Sequence, residues 1–129
     1  LEGGIGPEDF TPRLDAWGVD AIGCNCGAGP ESMIEMIRRM ALHTDKPLTA
    51  QPSAGLPFYQ EGQLVFPCLP GEMAEAARQF LLQGVRIVGG CCGTIPEHIA
   101  AIRAVVNSSS SSTTLRSEST KAVKAGQTK

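Results

Sequence analysis

The sequence predicts an α/β fold, the C-terminal part of a β/α barrel with about three parallel strands and flanking helices. Three observations carry this expectation. Short apolar runs alternate with segments of helical period in the order helix, strand, helix, strand, helix, strand, helix. Such alternation arises when parallel strands are joined by crossover helices. Three parallel strands alone would have open edges and uncovered faces, so the repeat is expected to belong to a larger closed unit. Two groups of cysteines also end two of the strands on one side, the side where the loops of a β/α barrel build active sites.

Each element has its own signal. "TPRLDAWG" (11–18) is expected to end the first helix, with Pro12 tolerated in the first turn and Gly18 at the stop. "VDAIGC" (19–24) reads as a buried strand and "NCGAG" (25–29) as the loop after it. Pro30 opens a second helix through "ESMIEMIRRMALHT". Met33, Ile34, Ile37, Met40 and Ala41 make its apolar stripe, with Glu31, Glu35, Arg38 and Arg39 facing away. "KPLTAQ" (46–51) is the second strand. The long loop that follows holds "FYQEGQLVF" (58–66), a small hairpin around Glu61-Gly62. A loop of that length in a compact unit is usually functional or carries its own structure.

"EMAEAARQFLLQ" (72–83) is the third helix, with a stripe of Met73, Ala76, Ala77, Phe80 and Leu81 and a stop at Gly84. "VRIVGG" (85–90) is the third strand. Thr94 and Glu97 have capping-box spacing, so "IPEHIAAIRAVV" is expected to be a helix starting directly after the last cysteines. From Asn107 onward the chain is Ser-rich and polar. The expected organisation is a partial barrel domain over 1–107 and a flexible, disordered linker or tail over 108–129.

Composition excludes several classes. At 42% apolar, 19% charged and a formal net charge of −2, the chain has neither a nucleic-acid nor a membrane signature. The charge is uneven: residues 1–107 carry seven Lys/Arg against twelve Asp/Glu, whereas 108–129 carry four against one. No apolar run reaches the ~18–20 residues that a membrane span needs. "LEGGIGPEDF" has no basic region followed by an apolar stretch, as a secretory signal would. It reads as a segment from within a longer, cytoplasmic chain.

The five cysteines are Cys24, Cys26, Cys68, Cys91 and Cys92. An odd number without a secretory signal argues against a disulfide framework; clustered thiols in a reducing compartment are more often metal ligands or catalytic groups. Cys91 and Cys92 sit among Gly89, Gly90 and Gly93, where a flexible backbone can bring neighbouring sulfurs to one point. They are expected to share a metal with a cysteine of the first strand. Thiolates select Zn²⁺, Cu⁺ or iron–sulfur clusters, and zinc is the expected ion. Three protein thiolates with an open position would be a catalytic pattern, four a structural one. The competing readings are a Cys91–Cys92 disulfide and a closed zinc site that also uses Cys24 or Cys68. Cys24, inside an apolar run, reads as a small core residue; Cys68 is expected to have no metal role, and His43 and His98 to lie on the surface.

"GCNC" (23–26), "QPSAGLP" (51–57) and "GGCCGT" (89–94), in this order and spacing, resemble the homocysteine S-methyltransferase family. Within that family the chain looks most like the homocysteine-binding module of methionine synthase. The resemblance covers residues 7–106 and implies the C-terminal portion of a (β/α)8 TIM barrel. It implies zinc held by Cys26, Cys91 and Cys92, with homocysteine's thiol in the fourth position. It implies methyl transfer to that thiol, giving methionine. The donor would be methylcobalamin charged from methyltetrahydrofolate, S-methylmethionine or betaine, and further domains of a longer chain would be partners. Ser53 stands where that branch commonly has an Asn that can occupy zinc's fourth position, so water is expected there instead. The family's acidic residues for the homocysteine amino group lie on earlier strands, so no residue here is assigned that role, nor any other catalytic or cofactor-binding role. An incomplete barrel is expected to show no turnover by itself. The alternative function is a non-catalytic thiolate-zinc or redox module.

Overall fold

The computed structural model describes residues 4–109. Helix α1 spans Pro7–Ala16, strand β1 Ile22–Cys26, helix α2 Pro30–Met40 and strand β2 Leu48–Pro52. A hairpin of β3 (Phe58–Gln60) and β4 (Gln63–Val65) follows, then α3 (Pro70–Leu82) and β5 (Val85–Val88). A fourth helix, α4, runs over residues 96–109. β1, β2 and β5 form one parallel sheet in that order, so β2 is central. This parallel α/β arrangement is the expected fold class and is consistent with a partial barrel. Among the described residues no helix is long and apolar enough to cross a membrane.

The core follows from the two apolar stripes. Ile37 and Met40 of α2 and Phe80 of α3 lose all solvent exposure against Ile22, Leu48, Ala50 and Val85 of the sheet. A second cluster, beside the long loop, joins Met73 and Ala77 of α3 to Ile102 and Val105 of α4, with Ala54 and Cys68 between. α3 is closed at its start by the Glu72 carboxylate, which accepts the Leu69 N–H at 2.7 Å. The hairpin turns at Glu61 (φ 51°) and Gly62 (φ 79°). Positive φ at both central residues is the turn whose twist matches two paired strands.

Several expected boundaries move. α1 starts at Pro7, with the Asp9 carboxylate accepting the Gly6 N–H at 3.1 Å, so Pro12 is its sixth residue rather than part of the first turn. β1 lies later than "VDAIGC" because Asn25 and Cys26 pair with Gln51 and Pro52. α2 stops at Met40, four residues early; the Thr44 hydroxyl there bonds Asp15 and accepts the Lys46 N–H.

α4 is not capped by Thr94 and Glu97. The Thr94 hydroxyl donates to the Cys91 carbonyl at 2.7 Å. The Ile95 N–H instead donates to His98 Nδ1 at 3.1 Å, and His98 Nε2 lies 2.8 Å from the Cys68 carbonyl. His98 is therefore buried, 4% exposed, and not a surface residue. Its ring ties α4 to the start of α3. α4 also continues past 107 through Ser108 and Ser109, whose hydroxyls donate to the Val105 carbonyl. The rest of the expected tail, 110–129, lies outside the described residues.

Phe80 is fully enclosed in the first cluster, together with Ile37 and Met40 of α2 and the sheet residues. Phe80→Ala should cost about 3–5 kcal/mol, whereas Leu82→Ala on the exposed end of α3 should stay within about 0.5 kcal/mol. Urea unfolding of the two variants checks this; equal losses would mean that the sheet and α3 do not pack as described.

Candidate metal centre

The three cysteines come from two strand ends, and backbone conformation brings them together. In β1, Ile22 and Cys24 face the helix layer, and Cys24 Sγ packs 3.3 Å from Met40 Sδ. Strict alternation would aim Cys26 the same way. Cys26 instead takes φ 68°, followed by Gly27 at φ 76°. This left-handed turn breaks the alternation and redirects the third sulfur. A non-glycine residue held there stores strain of about 1–3 kcal/mol, kept only where the surroundings impose it.

On the other side, β5 ends at Val88 and the chain turns through Gly89 and Gly90. The Cys91 N–H donates to the Pro52 carbonyl at 2.9 Å, and the Cys92 carbonyl accepts the Ala54 N–H at 2.8 Å. The Cys91 carbonyl takes two bonds from Thr94, one from its N–H and one from its hydroxyl. Gly93 closes the turn at φ 75°, and a Cβ built on it would overlap the Phe66 ring. Phe66, at the exit of the hairpin, thus roofs the cysteine turn.

The Cys26 and Cys92 sulfurs lie 3.6 Å apart, the Cys91 and Cys92 sulfurs 3.9 Å, and all three fall within 4.8 Å of one another. Sulfurs about 2.3 Å from a tetrahedral zinc ion would stand about 3.8 Å apart. The set therefore fits a thiophilic ion, and these three residues could hold one. The Cys91 and Cys92 sulfurs, 3.9 Å apart, are not bonded to each other in this structure. Cys68 lies elsewhere: its thiol is buried and contacts the Leu69 carbonyl. Among the described residues no fourth cysteine, histidine or carboxylate joins the cluster.

Electrostatics agree with a cation site. Hydrogen bonding from the Cys26 thiol and the Cys92 amide pulls the Cys91 pKa below the ordinary thiol value. Cys92, placed between Cys26 and Cys91, is pushed up by its bonds to both. Three sulfurs this close cannot all ionise without a positive charge among them. Burial raises the thiols of Cys24 and Cys68, as befits packing roles.

Four residues support the cluster in ways that sequence reasoning does not foresee, Ser53 among them although its motif is recognisable. Asn25 Oδ1 lies 3.7 Å from Cys91 Sγ. Ser53 is 2% exposed; its N–H donates to the Cys26 carbonyl at 3.2 Å and its hydroxyl to the Gly27 carbonyl at 2.7 Å. Phe66 and His98 hold the neighbouring loops. Ser53 has a motif but no sign of its partners; His98 has a readable signal, as a ring three residues into a helix whose first N–H groups need acceptors.

Residues 1–106 match the homocysteine S-methyltransferase family. The chain is 44% identical over 94 residues to methionine synthase of Mycobacterium tuberculosis, covering 72% of this chain and 8% of that protein. It is 41% identical over 106 residues to methionine synthase of Mycobacterium leprae, covering 81% of this chain and 9% of that protein. The chain thus spans less than a tenth of the length of these curated relatives.

The roof over the cysteine turn can be tested directly. Gly93→Ala should destabilise the chain by about 1–3 kcal/mol, from strained φ and the clash with Phe66. In a Phe66→Ala background the added cost should be smaller, because the clash is gone. A double-mutant cycle in urea that gives strictly additive losses would show that the ring does not rest on Gly93.

Proposed function

The chain belongs to the homocysteine S-methyltransferase family, and on that premise we propose that Cys26, Cys91 and Cys92 hold zinc for transfer of a methyl group to the homocysteine thiol. The observation that carries this reading is three sulfurs within 4.8 Å of one another, with none of the other cysteines in reach. Three ligands with a free position match catalytic zinc sites; a structural site would close with a fourth. The closed thiolate-zinc alternative would need a fourth ligand, and none joins the cluster among the described residues.

When bound, zinc would lower the pKa of an incoming thiol so that it is a thiolate near neutral pH. The chain's own residues prepare that event. Cys26, Cys91 and Cys92 supply three thiolates, and the exposed side of Cys92 leaves an approach for substrate. The homocysteine sulfur then supplies the electron pair for the new S–CH₃ bond, and the donor keeps the pair of the bond that breaks. The product is methionine. The proposed donor is methylcobalamin charged from methyltetrahydrofolate, carried by further domains of a longer cytoplasmic chain. The residues through the end of α4 at Ser109 would belong to the partial homocysteine-binding barrel, and the Ser-rich stretch beyond it would be the linker.

Made in the complete barrel, Cys26→Ser, Cys91→Ser and Cys92→Ser should each abolish zinc retention through gel filtration, while Cys24→Val and Cys68→Ser should keep it. Zinc measured per chain decides this; loss in Cys24→Val with retention in Cys26→Ser would refute the ligand set. The chain alone should show no methionine formation with any donor. β1 and β5 each have one neighbour among the described residues, and no residue is assigned to the homocysteine amino group. A monomeric 129-residue chain that methylates homocysteine would overturn this.

A further inference from the structure

We propose that Ser53 is a positioning residue for the three-cysteine centre: its hydroxyl and its N–H together hold the left-handed turn that aims Cys26, and it is not itself a ligand. The inference rests on the metal reading above and adds a role for a side chain that the cysteines alone do not reveal.

The turn needs an external hold. Cys26 and Gly27 are consecutive residues at positive φ, and Cys26 has a Cβ that disfavours that conformation. Its carbonyl and that of Gly27 both point to one partner. The Ser53 N–H donates to the Cys26 carbonyl at 3.2 Å, and the Ser53 hydroxyl donates to the Gly27 carbonyl at 2.7 Å. A serine hydroxyl has one proton to give, and here it goes to backbone. At 2% exposure no water competes for it.

Position in the fold makes this hold specific to the metal centre. Ser53 lies between Pro52, whose carbonyl accepts the Cys91 N–H, and Ala54, whose N–H reaches the Cys92 carbonyl. One three-residue run therefore spans both cysteine groups. Pro52 and Ala54 act through backbone alone, so their contacts survive most substitutions. The Ser53 hydroxyl is the single side-chain bond in the run. Removing it frees Cys26 to relax toward the regular strand conformation, which would carry its sulfur away from Cys92. The cost should appear in metal affinity, because groups that orient metal ligands set how much ordering must accompany binding.

The test is a cobalt(II) titration of the 129-residue chain followed by zinc competition, with Ser53→Ala and Ser53→Thr beside the parent. Ser53→Ala should bind both metals about 10–100-fold more weakly. At saturation it should keep the parent's thiolate-to-cobalt absorption and d–d bands, because three sulfurs and the same fourth ligand still bind. Ser53→Thr, which retains the hydroxyl, should restore most of the affinity. Unchanged affinity in Ser53→Ala overturns the inference. So does a shift of the d–d bands at saturation, which would make Ser53 a ligand. A parent chain without any thiolate-to-cobalt band overturns the metal centre itself, and this inference with it; a parent that binds while Ser53→Ala binds equally well overturns this inference alone. Should Ser53→Ala lose its native circular dichroism, amide hydrogen exchange of the parent decides. The Ser53 and Ala54 amides must then exchange far more slowly than those of Glu61 and Gly62 at the hairpin tip, and equal rates sink the clamp.

Discussion

The arrangement of this protein depends on how the backbone at the end of β2 is shared. Pro52, in the last pair of the β1–β2 ladder, and Ser53 and Ala54 just beyond it bond to the cysteine turns on either side. Sheet pairing alone brings the ends of β1 and β5 near each other with β2 between them. It does not bring their sulfurs together, since a central strand separates them by two strand spacings, about 10 Å. The turns beyond the strand ends must fold inward over β2, and these backbone bonds are what hold them there. Every sulfur–sulfur distance in the centre is downstream of that stitching.

The neighbouring elements brace this segment rather than contact the sulfurs. Ala54 is buried in the second core cluster with Met73, Ala77, Ile102 and Val105. That packing ties the inner end of the stitch to α3 and α4. His98 locks the same two helices through the Cys68 carbonyl and the Ile95 N–H, and Phe66 covers Gly93. The long loop after β2 is therefore more than a spacer. It crosses from the stitch to the roof and then to α3, and its hairpin leaves Phe58, Tyr59 and Leu64 exposed. Its order comes from both ends rather than from its tip.

Charge and geometry point to the same chemistry. Within this cluster of three thiols, hydrogen bonding pulls the Cys91 pKa below the ordinary thiol value and pushes that of Cys92 above it. Such a cluster is costly as a set of thiolates and neutral only as a set of thiols, so a divalent cation is its natural counter-charge. The likeness of residues 1–106 to homocysteine S-methyltransferases supplies the proposed reaction. The three-sulfur cluster, joined by no fourth ligand among the described residues, is compatible with that proposal.

Much of this was legible in the residues alone. The alternation of apolar runs and helical stripes determined the α/β class, because burial periodicity is local in sequence. The stripes of α2 and α3 emerged as read, and so did the hairpin turn at Glu61-Gly62. Cys91 and Cys92 stood out because adjacent thiols among glycines suit no ordinary core, and the family resemblance added Cys26. What the sequence could not contain was the partner of each polar group. Thr94 and Glu97 have the spacing of a cap, yet Thr94 bonds the Cys91 carbonyl and His98 caps the helix. Ser53 stood in a recognisable motif, but nothing local says that its hydroxyl meets Gly27, 26 residues earlier. Nor does the β-strand pattern of "IGCNC" foretell the left-handed Cys26. Hydrogen-bond partners and strained dihedrals are settled by which segments meet in space. Only the tertiary structure decides that, and it does so here where β2 runs out and the two cysteine turns close over it.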